Sequence, residues 1–285
     1  MDPSRPPISP GRALLAVHRE EPVPFSLAVH HPAPEAGRDA AVRAPRLNAL
    51  REKSLARGVN PLLYWLVRAL LVPFFLVYFR LGRIAREHIP SSGPVLLAAN
   101  HRSFLDPFVI GALTRRPVYY MAKRELFERR WQAWLLSSLG AFPVDRGTGD
   151  RDAMATARAI LSRGDCLVVF PEGTRVRSGP LGHPRRGIGR LALQSGAPVV
   201  PIAVIGTEHV RRGWIIRPRR VLLRCGRPLR YPVLDTPSPS IALGVAERIW
   251  ACVTLQWQWQ WLGGASPPPA HELCEESSPR AARAA

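Results

Sequence analysis

Two short polar segments in this sequence combine residue types that can carry out acid–base chemistry beside a bound anion. Residues 100–106 follow the apolar run 95–99, and residues 171–175 follow the apolar run 166–170. The first segment contains a histidine, which exchanges protons near neutral pH, and a carboxylate. The second contains an arginine, which can hold a phosphate with paired hydrogen bonds, beside a glycine. Together they predict an enzyme that deprotonates a hydroxyl group on a phosphorylated substrate.

The elements that must position these segments follow from the hydrophobic pattern. Each apolar run is predicted to be a short buried strand, which places each polar segment at the carboxyl end of its strand. Ligands bind at that edge in open α/β sheets. Further strands are predicted at residues 117–122, 141–144, 199–205 and 220–224, and helices at residues 103–113, 126–139, 152–162, 186–195 and 241–262. Such alternation predicts an α/β fold with a mixed, largely parallel sheet flanked by helices.

His101 is the candidate general base, because an alcohol must lose its proton to become a good nucleophile. Asp106 would orient the imidazole and stabilise its cation, as the acid does in hydrolase triads. Ser103 and Asp106 also form a pattern like a capping box, which predicts that Asp106 lies in the first turn of a helix and folds back toward the loop. The alternative is that Asp106 only caps the helix and that His101 is an ordinary loop residue.

These segments resemble two motifs of the glycerophospholipid acyltransferase family, of the lysophosphatidic acid acyltransferase type. The first is Asn-His-x-x-x-x-Asp, matched by Asn100, His101 and Asp106, and the third is Phe-Pro-Glu-Gly-Thr-Arg, matched without change by residues 170–175. The family's second motif is similar to residues 142–147. Its fourth, an apolar strand with an internal proline, is similar to residues 199–204. All four occur in the family's order, over roughly residues 61–262.

The resemblance implies roles for individual residues. His101 and Asp106 would be catalytic, with direct attack of the acceptor hydroxyl on an acyl thioester. A block of four residues would bind the phosphate end of the acceptor, with the glutamate shaping the pocket: Glu172, Gly173, Thr174 and Arg175. Arg146 and Lys123 are further candidates for substrate binding. The alternatives are a structural ion pair between Glu172 and Arg175, and solvated side chains at Lys123 and Arg146.

One stretch departs from the family pattern. Relatives often continue from the third motif to a Phe-Lys-x-Gly block, whereas this chain has Pro184 and Arg185 before Arg186 and Gly187. The positive charge is kept, but the geometry of this loop is expected to differ.

The activity that the resemblance implies is transfer of a fatty acyl group from acyl-CoA or acyl carrier protein to the sn-2 hydroxyl of 1-acyl-glycerol 3-phosphate, giving phosphatidic acid. The acyl donor is a substrate, so no cofactor and no metal are expected. A different lysolipid or hydroxylated lipid is an alternative acceptor. A non-catalytic basic module that binds membranes or nucleic acid belongs to another class, and it would not need all of these motifs together. No nucleic-acid partner is therefore expected.

Charge and cysteine content bound the partners and the compartment. The formal net charge is +19, with 40 Lys and Arg against 21 Asp and Glu, which favours an anionic partner such as an acidic membrane surface or a phosphorylated substrate. Residues 211–230 contain many arginines and no acid. The four cysteines are scattered without a Cys-x-x-Cys pair, which argues against a disulfide framework or a zinc site. A reducing, cytoplasm-facing location is expected, since the N-terminus lacks the apolar core of a signal peptide.

The domain organisation is predicted from composition. Residues 1–60 and 263–285 are rich in Pro, Ala or Arg and are predicted to be disordered tails. Residues 61–88 are predicted to be a membrane-associated helical segment, and residues 89–262 the acyltransferase domain.

Within the membrane-associated segment, residues 61–79 are almost wholly apolar and close to the ~20 residues that span a bilayer. Arg68 and Pro73 count against a plain span. Two short helices that dip into one leaflet are therefore expected, with a buried helical hairpin as the alternative.

Overall fold

The computed structural model describes residues 36–145, 150–212 and 214–258, so Arg146 and the predicted tail 263–285 lie outside the described residues. The helices are α1 (Ala36–Ala56), α2 (Pro61–Tyr78), α3 (Asp106–Leu113), α4 (Arg130–Ser138), α5 (Arg151–Ser162), α6 (Gly187–Ser195) and α7 (Pro239–Gln258). The strands are β1 (Gly82–Ile84), β2 (Val95–Ala99), β3 (Val118–Lys123), β4 (Ala141–Val144), β5 (Cys166–Val169), β6 (Val199–Ile205), β7 (Arg211–Arg212), β8 (Ile215–Ile216) and β9 (Leu222–Cys225).

Seven strands form one sheet in the order β1-β9-β6-β2-β5-β3-β4. All neighbouring strands run parallel except β6 and β9, which are antiparallel. Strands β7 and β8 form a separate antiparallel pair. The predicted mixed, largely parallel sheet flanked by helices is confirmed.

The core lies on both faces of this sheet. Successive side chains of a strand point to opposite faces, and every residue of β2 is fully buried. Val95, Leu97 and Ala99 pack in one cluster with α2 and α3, whereas Leu96 and Ala98 pack in another with α5, α6 and α7. A strand covered on both faces explains why the sequence of β2 is continuously apolar.

The sheet order brings the two polar segments together. Strand β2 pairs in parallel with β5, with Val95 opposite Cys166 and Ala98 opposite Val169. The residues that follow these two strands therefore emerge side by side at one edge of the sheet. Strand β6 pairs with the other side of β2, so the turn after β6 reaches the same edge.

Helix α1 shows that the prediction of a disordered tail over residues 1–60 is wrong for Ala36–Ala56. Arg51 explains this difference. Its Nε donates to the carbonyl oxygen of Pro143 at 3.1 Å, and its guanidinium pairs with Asp150. Contacts of this kind join residues far apart in the sequence, and composition does not reveal them.

Helix α2 is one continuous helix, so the expectation of two short helices is wrong. Asn60 caps its start by accepting a hydrogen bond from the N–H of Leu63 at 3.1 Å. Pro73 removes only one helical hydrogen bond. The packing of Phe75 and Phe79 in the core stabilises the helix beyond that point.

By length and composition, α2 is the one helix of the described residues that is apolar enough to cross a membrane. Most of its residues are not buried by the rest of the protein. Its Arg68 donates hydrogen bonds to the carbonyl oxygens of Gly111 and Thr114, so this cation is satisfied against α3 and its end.

Candidate active site

His101 and Asp106 form a buried pair at the edge of the sheet. The Nδ1 atom of His101 lies 2.8 Å from Oδ2 of Asp106. A carboxylate only accepts hydrogen bonds, so Nδ1 is the donor in this pair, and in the neutral ring Nε2 is the nitrogen with the lone pair. The imidazole also stacks on the ring of Phe170, with centroids 4.1 Å apart and planes 20° apart. The ring is thus fixed in tautomer and orientation, as a general base requires.

The carboxylate of Asp106 is fully buried, and its hydrogen-bonding capacity is filled. Besides the imidazole, Oδ2 accepts the backbone N–H groups of Arg102 and Ser103, both at 2.7 Å. Its other oxygen, Oδ1, accepts from the hydroxyl of Thr207 at 2.6 Å. A buried charge that is satisfied in this way costs far less than an unpaired one. The prediction that Asp106 folds back toward the loop from the first turn is confirmed.

Only half of the predicted capping-box-like pattern is formed: the carboxylate of Asp106 accepts the backbone N–H of Ser103 at 2.7 Å, but the hydroxyl of Ser103 does not accept the N–H of Asp106. Helix α3 begins at Asp106, and its N-cap residue is Leu105. Asp106 receives the N–H groups of the preceding loop, while the hydroxyl of Ser103 accepts the N–H of Leu105 at 3.4 Å. The loop is therefore held by the carboxylate that also holds the histidine.

Asn100 fixes the point where the active-site loop leaves the sheet. Its side-chain Nδ2 donates to the carbonyl oxygen of Val204 at 2.9 Å, and its Oδ1 accepts the N–H of Val204 at 2.7 Å. The side chain therefore replaces a strand residue in pairing with β6. This explains why an amide, with one donor and one acceptor group, stands directly before His101.

Glu172 joins the two polar segments. Its Oε2 accepts the backbone N–H of His101 at 2.7 Å, and its Oε1 accepts the N–H of Gly182 at 2.9 Å. Burial raises the pKa of Glu172, while the two backbone N–H groups and the nearby charge of Arg102 act in the opposite direction. The alternative of an ion pair with Arg175 is not what these contacts show, because the carboxylate faces backbone N–H groups.

Gly173 occupies a position that favours glycine. Its φ is +72°, and a Cβ built there would lie 2.7 Å from Nε of Arg185. Arg185 in turn donates its backbone N–H to the carbonyl oxygen of Pro171 at 2.8 Å. The arginine that departs from the family's lysine block thus packs directly on the third motif.

An apolar cavity of about 490 Å³ opens at the histidine. Its walls come from α2, α3, β3 and α4, and they include Leu71, Phe108, Met121 and Leu135. The lining also contains three polar side chains from the predicted site: His101, Lys123 and Arg175. The size lies in the range of roughly 300–1,000 Å³ that is usual for small-molecule sites.

Three of the other predicted binding residues lie at the surface. Thr174 and Arg175 are exposed, and Arg175 also lines the cavity. Lys123 is half exposed and pairs with Glu125, with Nζ 3.0 Å from Oε1. Arg146 lies outside the described residues. Among the described residues, no group of three or more His, Cys, Asp or Glu side chains could hold a metal ion.

The sequence is similar to those of known acyltransferases. A family model described as Acyltransferase matches residues 83–205. The 1-acyl-sn-glycerol-3-phosphate acyltransferase of Bacillus subtilis is 30% identical over 146 residues, which cover 50% of this chain and 71% of that protein. The chain belongs to the acyltransferase family.

Other similar proteins align over different shares of the chain. The 1-acyl-sn-glycerol-3-phosphate acyltransferase of Pseudomonas aeruginosa is 28% identical, and the match covers 59% of this chain and 66% of the Pseudomonas protein. The chloroplastic enzyme BAT2 of Brassica napus is 32% identical, and the match spans 44% of this chain but 37% of the plant protein. The fold is shared with the crystal structure of the LPA acyltransferase PlsC from Thermotoga maritima, at a TM-score of 0.56 and 20% identity over 80% of this chain and 99% of PlsC.

Three residues of this acyltransferase site were not predicted from the sequence. Thr207 follows β6 and reaches Asp106 only because β6 lies next to β2. Gly182 contributes only its backbone N–H. Arg102 donates to the carbonyl oxygens of Val176 and Gly179, and so ties the loop after Arg175 to the histidine loop. Of these three residues, only Arg102 could have been identified from the sequence, because it lies within the first motif.

Proposed function

We propose that this protein transfers a fatty acyl group from a thioester of coenzyme A or acyl carrier protein to the sn-2 hydroxyl of 1-acyl-glycerol 3-phosphate, giving phosphatidic acid. The observation that carries this proposal is the His101–Asp106 pair at 2.8 Å, at an apolar cavity that Arg175 also lines. One cavity thus combines a base, an apolar space for an acyl chain and a cation for a phosphate. The names of the similar proteins from Bacillus subtilis and Pseudomonas aeruginosa support the choice of acceptor.

The chemical step uses His101 as general base. Its Nε2 takes the proton of the acceptor hydroxyl as that oxygen bonds to the thioester carbonyl carbon. Asp106 stabilises the imidazolium through Nδ1–H. When the tetrahedral intermediate collapses, the C–S bond breaks and the thiolate leaves. The thiolate then takes the proton from the imidazolium, which returns His101 to its starting state and releases a free thiol.

Arg175 is the proposed phosphate ligand. A guanidinium is always charged and can donate two parallel hydrogen bonds to one phosphate. Glu172 positions this segment relative to His101, and Gly173 provides the turn that presents Thr174 and Arg175. Lys123 lines the same cavity and is a second cation for the acceptor or the donor. Arg146 is proposed to assist on the basis of the second motif.

Helix α2 is proposed to hold the enzyme in the cytoplasmic leaflet of a membrane. It is apolar and mostly not buried, yet Phe75 packs in the core and Arg68 bonds to the end of α3. A helix fixed along the domain in this way lies in the leaflet more readily than it spans the bilayer. It also lines the cavity, so a lipid acceptor could enter from the membrane.

The experiment is acylation by the purified full-length protein of a panel of labelled lysolipids, with acyl-CoA and acyl carrier protein as donors and products identified by mass spectrometry. We expect phosphatidic acid from 1-acyl-glycerol 3-phosphate, and turnover reduced by roughly 10²–10⁴-fold with the His101→Ala protein. Efficient acylation of a lysolipid without a terminal phosphate, with 1-acyl-glycerol 3-phosphate left unreacted, would contradict the proposed acceptor.

A further inference from the structure

The hairpin of β7 and β8 exposes large apolar side chains at its tip. The strands pair with Arg211 opposite Ile216 and Arg212 opposite Ile215. Trp214 is 95% exposed, Ile215 is 64% exposed and Ile216 is 42% exposed. Three consecutive large apolar residues in water are unfavourable, and such a patch marks a surface that binds a partner. None of the other described residues buries Trp214.

Hydrogen bonds to neighbouring elements hold the base of the hairpin. The N–H of Arg217 donates to the carbonyl oxygen of Val210 at 2.7 Å, and Val210 is fully buried in the core. The hydroxyl of Tyr78, the last residue of α2, donates to the carbonyl oxygen of Ile216 at 2.9 Å. The hairpin is therefore attached to the end of the apolar helix.

Positively charged residues flank this apolar tip in the sequence. Arg211, Arg219 and Arg220 are exposed, and the sequence has no acidic residue between Glu208 and Asp235. The carboxylate of Glu208 is largely buried, with 12% of its side chain exposed, and lies 3.8 Å from His209. A tryptophan with aliphatic neighbours and exposed arginines close in sequence matches the layered chemistry of an anionic bilayer surface, where aromatic rings lie at headgroup level and cations meet the phosphates.

The hairpin also adjoins the cavity. The guanidinium of Arg211 lies 5.9 Å from the ring centroid of Phe104, and Phe104 lines the cavity with His101. On α2, the exposed ring of Phe74 stacks on Tyr78 with centroids 5.1 Å apart, and the neighbouring Val77 is exposed as well. Helix, hairpin and cavity thus belong to one side of the molecule.

We propose that the β7–β8 hairpin is a second membrane anchor, which inserts Trp214 and Ile215 into the interface of an anionic bilayer and sets the cavity against the lipid. The proposal rests on the membrane attachment in the proposed function and adds to it a second contact surface and a lipid charge. Helix α2 alone fixes one line of contact. The hairpin adds a second point, so the domain cannot rotate about α2 and the cavity keeps facing the membrane.

The test uses the full-length protein with a fluorescent probe at the hairpin tip. Trp214→Cys is labelled with the polarity-sensitive dye NBD after Cys252 and Cys274 are replaced by Ser. Cys166 and Cys225 are buried, and burial raises the pKa of each thiol to about 12, so they do not compete for the dye. The matched control is Val233→Cys, because Val233 is 63% exposed and Leu234 beside it bonds to Leu193 of α6, on the opposite face of the sheet.

Both labelled proteins are bound to vesicles of phosphatidylcholine alone and of phosphatidylcholine with phosphatidylglycerol, and flotation confirms binding. We expect a blue shift at position 214, quenching by lipids with a nitroxide near the headgroup, and a larger response with phosphatidylglycerol. Position 233 should show none of these changes. The His101→Ala protein should give the same response at 214, so the result does not depend on the proposed catalysis.

Two outcomes would contradict the proposal that the hairpin is a membrane anchor. One is emission at position 214 that stays as in buffer while flotation shows the protein on the vesicles through α2. The other is a concentration-dependent blue shift at 214 without lipid, which would assign the tip to a second copy of the chain. As an independent measure, Trp214→Glu should reduce the fraction bound to anionic vesicles several-fold relative to Val233→Glu, and equal binding of the two variants would also contradict the proposal.

Discussion

The backbone N–H of His101 donates to the carboxylate of Glu172 at 2.7 Å, and this bond joins the two motifs of the site. The carbonyl oxygen of His101 accepts from the N–H of Val176 at 2.9 Å, so the same residue is held on both sides by the third motif and its following residue. The proposed base and the proposed phosphate ligand, Arg175, therefore belong to one rigid unit. A change at Glu172 should affect catalysis without any contact between Glu172 and the substrate.

Glu172→Gln should lower kcat and change the dependence of stability on pH. The amide has one acceptor oxygen, so one of the two N–H donors would lose its partner, at a cost of about 1–3 kcal/mol. Burial raises the pKa of Glu172, so the folded state keeps this proton where the unfolded state has lost it. The contribution of Glu172 to the free energy of unfolding is then fully present below its ordinary pKa. It is lost as pH rises through the raised pKa of the folded state.

Urea unfolding at a series of pH values measures this effect. The difference in the free energy of unfolding between wild type and Glu172→Gln should narrow as pH rises through that window. A difference that does not vary with pH, together with an unchanged kcat, would show that Glu172 neither positions the loop nor titrates with a raised pKa.

Thr207→Ala should reduce kcat, whereas Thr207→Ser should retain it. The hydroxyl donates to Oδ1 of Asp106 at 2.6 Å, and a hydrogen bond to a charged group contributes about 1.5–3 kcal/mol. If the imidazolium depends on a correctly held carboxylate, we expect a loss of roughly tenfold or more, given about 1.4 kcal/mol per factor of ten. Steady-state kinetics with both variants checks this prediction. Equal kcat values for Thr207→Ala and Thr207→Ser would show that the Thr207 hydroxyl does not help to position Asp106.

Gly173→Ala should impair activity and stability more than Gly179→Ala. Both glycines have φ near +75°, so both alanines bear the backbone strain of about 1–2 kcal/mol for the left-handed region. Only at position 173 would the new Cβ meet Arg185, whereas nothing lies within 4 Å at position 179. Thermal unfolding and kcat measure the difference. Adding Arg185→Ala to Gly173→Ala should recover part of the stability, and failure to do so would show that crowding by Arg185 is not the cause.

Arg175→Ala should raise the KM for the phosphorylated acceptor more than the KM for the acyl donor. Loss of a charge-assisted, paired contact to phosphate costs about 1.5–3 kcal/mol. Arg177→Ala is the matched control, since Arg177 is an exposed arginine that is close in sequence but does not line the cavity. An effect on the donor alone, or equal effects of the two variants, would contradict the assignment of Arg175 to the acceptor phosphate.

Local patterns predicted much of this fold correctly, because a strand buried on both faces must be apolar throughout. Strands β2, β4 and β6 occur at the predicted residues. Helix α4 begins at Arg130, later than predicted, because Arg124–Phe127 form a separate short helical turn. Helix α1 was missed because its contacts are to distant residues rather than to neighbours in the sequence.

The site was predictable in its motifs but not in the bonds that connect them. The separation of His101 and Asp106 follows from a loop that enters a helix, which is a local arrangement. The bonds from Thr207 to Asp106 and from Gly182 to Glu172 depend on which strands are neighbours in the sheet. Strand order is set by the packing of the whole chain, and so these partners could not be identified from spacing.

The most direct test of the account is the turnover of His101→Ala, measured as phosphatidic acid formed by protein that is folded and vesicle-bound. Positioned general-base catalysis supplies roughly 10²–10⁴-fold, so we predict a loss of that size in kcat with unchanged thermal unfolding and flotation. Asp106 would still be bound by Thr207, Arg102 and Ser103, which makes a folded variant a reasonable expectation. Turnover within a few-fold of wild type by a folded His101→Ala protein would contradict the claim that His101 removes the acceptor proton.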